Sequence, residues 1–123
     1  MKYITQARSF INKAELEFAK ANGDDTKVRQ AAEKAWLACV YATNALFMKK
    51  GIKPPKGTRK REEILSELEK KDKKINEMGI FDKYRRFLYG LHIDCFYEGT
   101  YSVKIVERDI RRVDEYIDII EKI

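Results

Sequence analysis

The chain has 123 residues, with 26 Lys and Arg against 20 Asp and Glu and a net charge of +6. That is one domain's worth of chain, enough to bury a core without disulfide or metal staples, and its moderate excess of positive charge permits an anionic partner without requiring one. The most apolar stretch, Ala35 to Met48, is shorter than the about 18–20 residues of a membrane-spanning helix and contains Thr43 and Asn44, which argues against a membrane location.

Ile4, Ala7, Ile11, Ala14, Phe18 and Ala21 recur at steps of three and four, predicting an amphipathic first helix that stops at Asn22-Gly23. Asp24, Asp25 or Thr26 can then cap the next helix, and so short a connection makes the two antiparallel neighbours. The second helix, from about Thr26 to Gly51, carries two apolar stripes. One is small (Ala31, Ala35, Ala38, Ala42, Ala45) and the other bulky (Trp36, Val40, Thr43, Phe47), so it is expected to be covered on several sides as the central helix of a bundle.

Ile52 to Gly57 contains the adjacent prolines Pro54 and Pro55 and is the one clear loop. From Lys49 to Arg61 there are basic residues and no acidic one, and Lys53, Lys56, Arg59, Lys60 and Arg61 form either a solvated loop or a rim that attracts RNA phosphate. Thr58 is read as the N-cap of a shorter helix carrying Ile64, Leu65 and Leu68. A longer helix follows from about Asp72 or Ile75 to Tyr97, with Gly79 as a kink or alternative start, Asp72 as a cap, and Tyr84, Leu88, Leu91 and Cys95 on its buried line. Glu98-Gly99 closes it. Val103, Val106, Ile110, Val113, Ile117 and Ile120 define the last amphipathic helix.

The predicted fold is all-α: a single domain over residues 1–123, an antiparallel up-and-down bundle of four long helices plus one short helix. Cys39 and Cys95 lie within apolar helical patterns and no secretory leader is visible, so reduced thiols and a cytoplasmic setting are expected.

Glycine-rich phosphate loops and serine-nucleophile motifs are missing, and the single histidine, His92, lacks the Glu-x-x-His spacing of di-iron bundles. One His and two Cys on separate helices also lack zinc-motif spacing. No metal site and no cofactor are expected. What remains is Tyr84-Arg-Arg-Phe-Leu-Tyr-Gly-Leu-His92. At about 100° per residue, Arg85 and His92 fall on one helix face together with Tyr89 and Phe96, on the flank of the buried line, whereas Arg86 points elsewhere. An imidazole can take the 2′-hydroxyl proton of RNA while a guanidinium stabilises phosphate charge, the makings of metal-free phosphodiester cleavage. The alternative is a packed histidine at the core edge and an arginine whose stem covers apolar surface.

The Ala32-Glu-Lys-Ala-Trp-Leu-Ala-Cys-Val-Tyr-Ala-Thr-Asn-Ala-Leu46 helix ending at Lys49-Lys50-Gly51, the Arg and His of the later helix, and Phe96-Tyr97-Glu98-Gly99 before the last helix together resemble the HEPN family of helical bundles. The resemblance implies a HEPN-like fold, a homodimer that brings the arginine and histidine helices together in a cleft, and binding of RNA or a nucleotide. Many members act as metal-independent ribonucleases in toxin-antitoxin, defence or RNA-processing systems, and others bind nucleotides, RNA or proteins without catalysis. By resemblance His92 is the catalytic histidine and Arg85 or Arg86 the arginine, with helical geometry favouring Arg85 and Tyr89 supporting it by orientation or stacking. Active members usually place Asn, Asp or His directly after the arginine, whereas here Arg86 follows Arg85 and Phe87 follows Arg86. A separate antitoxin or nucleotidyltransferase is an implied protein partner. The rival expectation is a non-catalytic bundle that dimerises or binds a partner protein.

Overall fold

The computed structural model of the protein describes residues 2–123, and these are helical throughout apart from short connections, with no strand among them. Helix α1 (Lys2–Ala21) buries Ile4, Ala7, Ile11, Ala14 and Ala21. It ends at the left-handed pair Asn22 and Gly23. Helix α2 (Asp25–Lys49) starts one residue later, where the Asp24 carboxylate accepts from the Lys27 N–H at 3.1 Å, the N-cap that satisfies one of the helix's free donors.

Both apolar stripes of α2 are used. The alanines at 31, 35, 38, 42 and 45 are buried, as are Trp36, Thr43 and Phe47. Neighbours therefore pack on several sides of α2: α1, α5 (Ile80–Phe87), the helical turns after α5, and α6 (Val103–Lys122). One continuous core runs from Ile4 to Ile120. Its buried hydroxyls are satisfied, Thr43 donating to the Cys39 carbonyl at 2.8 Å and lying 2.7 Å from the Tyr116 hydroxyl.

Ion pairs fix the helix directions. Arg8, early in α1, meets Asp118 and Glu121, late in α6, each at 2.6 Å, so these helices run antiparallel. Lys49 at the end of α2 donates to the Ile120 and Glu121 carbonyls at 2.8 and 2.7 Å, so α2 and α6 end together. A lysine in the last turn of one helix thus also closes the C-terminus of another. Arg29, early in α2, meets the carbonyls of residues 95–97, which makes that segment antiparallel to α2.

Three details differ from the sequence reading. Thr58 is the first helical residue of α3 (Thr58–Lys71), with Gly57 in the capping position and no side-chain cap. The long fourth helix is divided: α4 (Lys73–Glu77) has the expected cap, Asp72 accepting from the Ile75 N–H, but stops before the left-handed Gly79, and α5 begins afresh at Ile80, the alternative start that Gly79 marked. Val103 opens α6 and remains exposed, because the core line begins one turn later at Val106.

The largest departure follows α5. Without a break, the backbone passes into a π-helix over Leu88–Glu98, 11 residues long. Such i→i+5 turns occur mostly as single bulges, frequently at functional sites. Two contacts brace this one. Gly90 lies so close to α6 that a β-carbon there would sit 3.0 Å from Asp109 Oδ2. At the other end Gly99 closes the turn with φ +70°, and the Arg29 guanidinium donates to the carbonyls of Cys95 (3.1 Å), Phe96 (2.8 Å) and Tyr97 (2.9 Å). A side chain of α2 thereby supplies the donors that the end of the π-helix lacks.

Candidate functional site

The π-helix sets the direction of every side chain after Leu88. An i→i+5 ladder turns each residue by less than the about 100° of an α-helix, so His92 is under-rotated relative to Arg85. The two side chains have different partners. Arg85 lies 3.5 Å from Glu62 of α3, donates to the Tyr89 hydroxyl at 3.2 Å and rests its guanidinium against the Phe81 and Tyr89 rings. His92 faces α2, with Nδ1 2.7 Å from Glu33 Oε1.

The His92 ring is held on three sides. It stacks on Trp36 with centroids 5.4 Å apart and on Phe96 at 6.3 Å, and meets the Tyr97 ring edge-on at 4.9 Å. Trp36 also touches the buried Tyr84 at 5.3 Å, which ties the ring to the core. The His92 side chain is 20% exposed and Glu33 22%, so the pair sits at the border between core and solvent. Burial pushes the Glu33 carboxyl above the usual carboxylate range, with the hydrogen bond and charge of His92 acting in the opposite direction. With Glu33 ionised, the proton belongs on Nδ1 and the lone pair on Nε2. This is the orientation of a histidine prepared to accept a proton.

Arg86, the alternative arginine, donates from Nε to Asp109 Oδ1 at 2.9 Å. Asp109 is 2% exposed. Its buried carboxylate commits the Arg86 Nε to α6; the Arg85 and Arg86 side chains are otherwise similarly exposed, 44% and 41%. The two cysteines are buried, and burial raises both thiols, that of Cys95 to about 12, which removes them as thiolate nucleophiles near neutral pH. Among the described residues no three His, Cys, Asp or Glu side chains are gathered where they could share a metal ion.

A family model described as a domain of unknown function, DUF5618, matches residues 1–122. The chain belongs to the DUF5618 family. No curated protein and no solved structure matches it.

In this DUF5618 domain the basic segment is divided. Lys53, Lys56, Arg59 and Lys60 are exposed around the proline loop and the first turn of α3. Arg61, grouped with them from the sequence, is 6% exposed and points inward, with Nε 3.4 Å from Asn44 Oδ1 and a terminal nitrogen 3.3 Å from the Tyr84 hydroxyl. Arg61 follows the exposed Lys60 by one residue, about 100° around α3, and that rotation takes it out of the rim. The sequence also gave no notice of Glu33, Arg29 or Asp109. Glu33 lies 59 positions from His92, and its only local signal is its i, i+3 relation to Trp36 on the side of α2 that the ring approaches.

Proposed function

We propose that this chain is a HEPN-like RNA-binding protein that cleaves RNA without a metal ion, with His92 as the proton acceptor. The observation that carries the reading is the 2.7 Å contact between His92 Nδ1 and Glu33, in a ring stack that leaves Nε2 as the free nitrogen. In the step proposed, Nε2 accepts the proton of a ribose 2′-hydroxyl as that oxygen bonds to phosphorus. The bond from phosphorus to the 5′-oxygen breaks, the leaving oxygen takes a proton from water, and a 2′,3′-cyclic phosphate results. Arg85 stabilises the charge that builds on the non-bridging oxygens.

Within one chain Arg85 and His92 have separate partners, so the reading places them opposite each other across a homodimer cleft, as the resemblance implies. Tyr89 orients Arg85 through the 3.2 Å hydrogen bond. The exposed lysines and Arg59 of the loop steer the phosphate backbone, so binding weakens as salt rises. A partner protein such as an antitoxin would act by covering this cleft.

The test is cleavage of a mixed RNA pool by the purified protein in EDTA, beside Arg85→Ala, His92→Gln and Glu33→Gln. Loss of cleavage in the first two and a partial loss in the third support the reading. The separate partners of Arg85 and His92 also favour a non-catalytic interaction module, and a folded protein that leaves RNA intact would select that reading.

A further inference from the structure

Beside the His92 stack lies a cavity of about 370 Å³ lined by Thr26, Arg29, Gln30, Phe96 and Tyr97. It is formed where the first turns of α2 meet the end of the π-helix. Its wall is shared with the proposed proton acceptor, because Phe96 and Tyr97 are the rings that contact His92. We propose that this cavity binds one unpaired nucleobase of an RNA chain next to the phosphate presented to His92. The proposal rests on the RNA reading above and adds to it the part of the substrate that is recognised.

Two planar groups suit a base. Tyr97 is 65% exposed although it belongs to a packed aromatic cluster, with its ring 5.3 Å from that of Phe96 and 4.9 Å from that of His92. An exposed phenol ring fixed on one side by two other rings is a stacking platform of the kind single-stranded RNA uses. The second is Arg29. Its Nε and one terminal nitrogen are spent on the carbonyls of residues 95–97, and its other terminal nitrogen lies 3.4 Å from Asp25, so the guanidinium is bound along its edge. Gly99 lies against one face of this guanidinium, and the other face is the one offered to a base in the cavity.

The polar groups of the cavity suit the edge of a base. Gln30 lies one position after Arg29 on α2, exposed, and its amide carries both a donor and an acceptor. That pair matches the adjacent donor and acceptor of an adenine edge. Thr26 adds a hydroxyl from the preceding turn. Stacking alone tolerates every base, so discrimination falls to Gln30 and affinity to Tyr97.

The experiment measures binding of labelled twelve-nucleotide oligo(A), oligo(U) and oligo(C) RNA, 2′-O-methylated so that the step proposed above cannot cleave it, to the full chain at one fixed salt concentration. It compares the native protein with Gln30→Ala, Tyr97→Ala and Arg85→Ala, each first shown to melt near the native temperature. The native protein is expected to prefer oligo(A). Tyr97→Ala weakens binding of all three by about tenfold or more, as loss of one base stack does. Gln30→Ala levels the three affinities at that of the weakest, and Arg85→Ala weakens all three while keeping their order.

RNA bound with affinities that neither Gln30→Ala nor Tyr97→Ala changes would overturn the base subsite and leave the RNA reading standing. RNA bound without a preference for oligo(A) would overturn the role of Gln30 and with it the subsite as stated. A folded native protein that binds none of the three RNAs would overturn both readings.

Discussion

Replacing Gly99 by alanine measures how firmly α2 holds the end of the π-helix, provided Gly51→Ala is measured beside it. The two glycines have nearly the same backbone, φ +70° and +72°, and an L-residue in that region costs about 1–2 kcal/mol. Loss of chain entropy in the unfolded state returns about 0.4–1 kcal/mol of this for Gly→Ala, leaving a net cost near 1 kcal/mol at either site. They differ in what a β-carbon meets. At Gly51 nothing lies within 4 Å, whereas at Gly99 the Arg29 guanidinium lies 3.0 Å away at its nearest nitrogen and 3.1 Å at its carbon.

The guanidinium must then shift, and the bonds at risk are charge-assisted ones to the carbonyls of Cys95, Phe96 and Tyr97. A hydrogen bond to a charged group contributes about 1.5–3 kcal/mol, reduced here because the Arg29 side chain is 31% exposed and water replaces part of the loss. Gly99→Ala should therefore cost about 2–3 kcal/mol in total. In a domain of this size that is a fall in melting temperature of about 8–12 °C, against about 3–5 °C for Gly51→Ala. Thermal unfolding followed by far-ultraviolet circular dichroism gives both. Repeating the Gly99 substitution in an Arg29→Ala background should remove the excess, which assigns it to that contact. Equal losses for the two glycines, or an excess that survives in the Arg29→Ala background, would refute the reasoning.

Arg61→Met keeps an apolar stem in the core and removes a buried charge that has only two long hydrogen bonds, so it should leave the melting temperature unchanged or raise it, whereas Arg61→Ala should cost about 2–3 kcal/mol through the cavity it opens. A marked loss of stability in the Met variant, read by urea titration, would show that the charge itself is needed. Burial raises the Glu33 carboxyl, so the folded state favours its protonated form, and the cost of ionising it appears as pH rises above the ordinary carboxylate range. Glu33→Gln should therefore match the native protein at acidic pH and gain in relative melting temperature toward neutral pH; a relative loss on that climb would contradict the assigned cause. His92→Ala removes the stack on Trp36 and leaves Glu33 unpaired, so calorimetry should show a loss of about 1–2 kcal/mol, and an unchanged melting temperature would mean that the ring is not packed as described.

Much of the architecture was legible because helical bundles write their cores as local periodicity. Asn22-Gly23, Pro54-Pro55 and Gly99 marked three connections, and the alternating small and bulky stripes of α2 announced a helix covered on several sides. The missed features depend on distance in space. Whether Asp24, Asp25 or Thr26 caps α2 turns on a single backbone direction, and the structure assigns the role to Asp24 while Asp25 instead accepts from the Tyr101 hydroxyl at 2.6 Å. Arg61 sits in a run of cations that looks uniformly exposed, and only its position on α3 relative to Asn44 and Tyr84 takes it inside.

The site shows the same division more sharply. Placing Arg85 and His92 on one face assumed an α-helix, and Tyr84 to Cys95 fits that period well enough that nothing in the pattern warns of a change. Tertiary groups brace the changed segment: Asp109 of α6 lies against Gly90, and Arg29 of α2 holds the last carbonyls. Under-rotation after Leu88 then separates the predicted stripe into two pairs. Tyr89 remains with Arg85 and Phe96 goes with His92. The histidine thereby acquires a carboxylate from α2 that no spacing rule within its own helix could supply. The π-helix thus turns His92 toward Glu33 while Arg85 keeps Glu62 and Tyr89, and under the function proposed above the pairing of Arg85 with His92 is made between two chains. A strict monomer that cleaved RNA in EDTA, with cleavage lost on Arg85→Ala, would contradict that consequence.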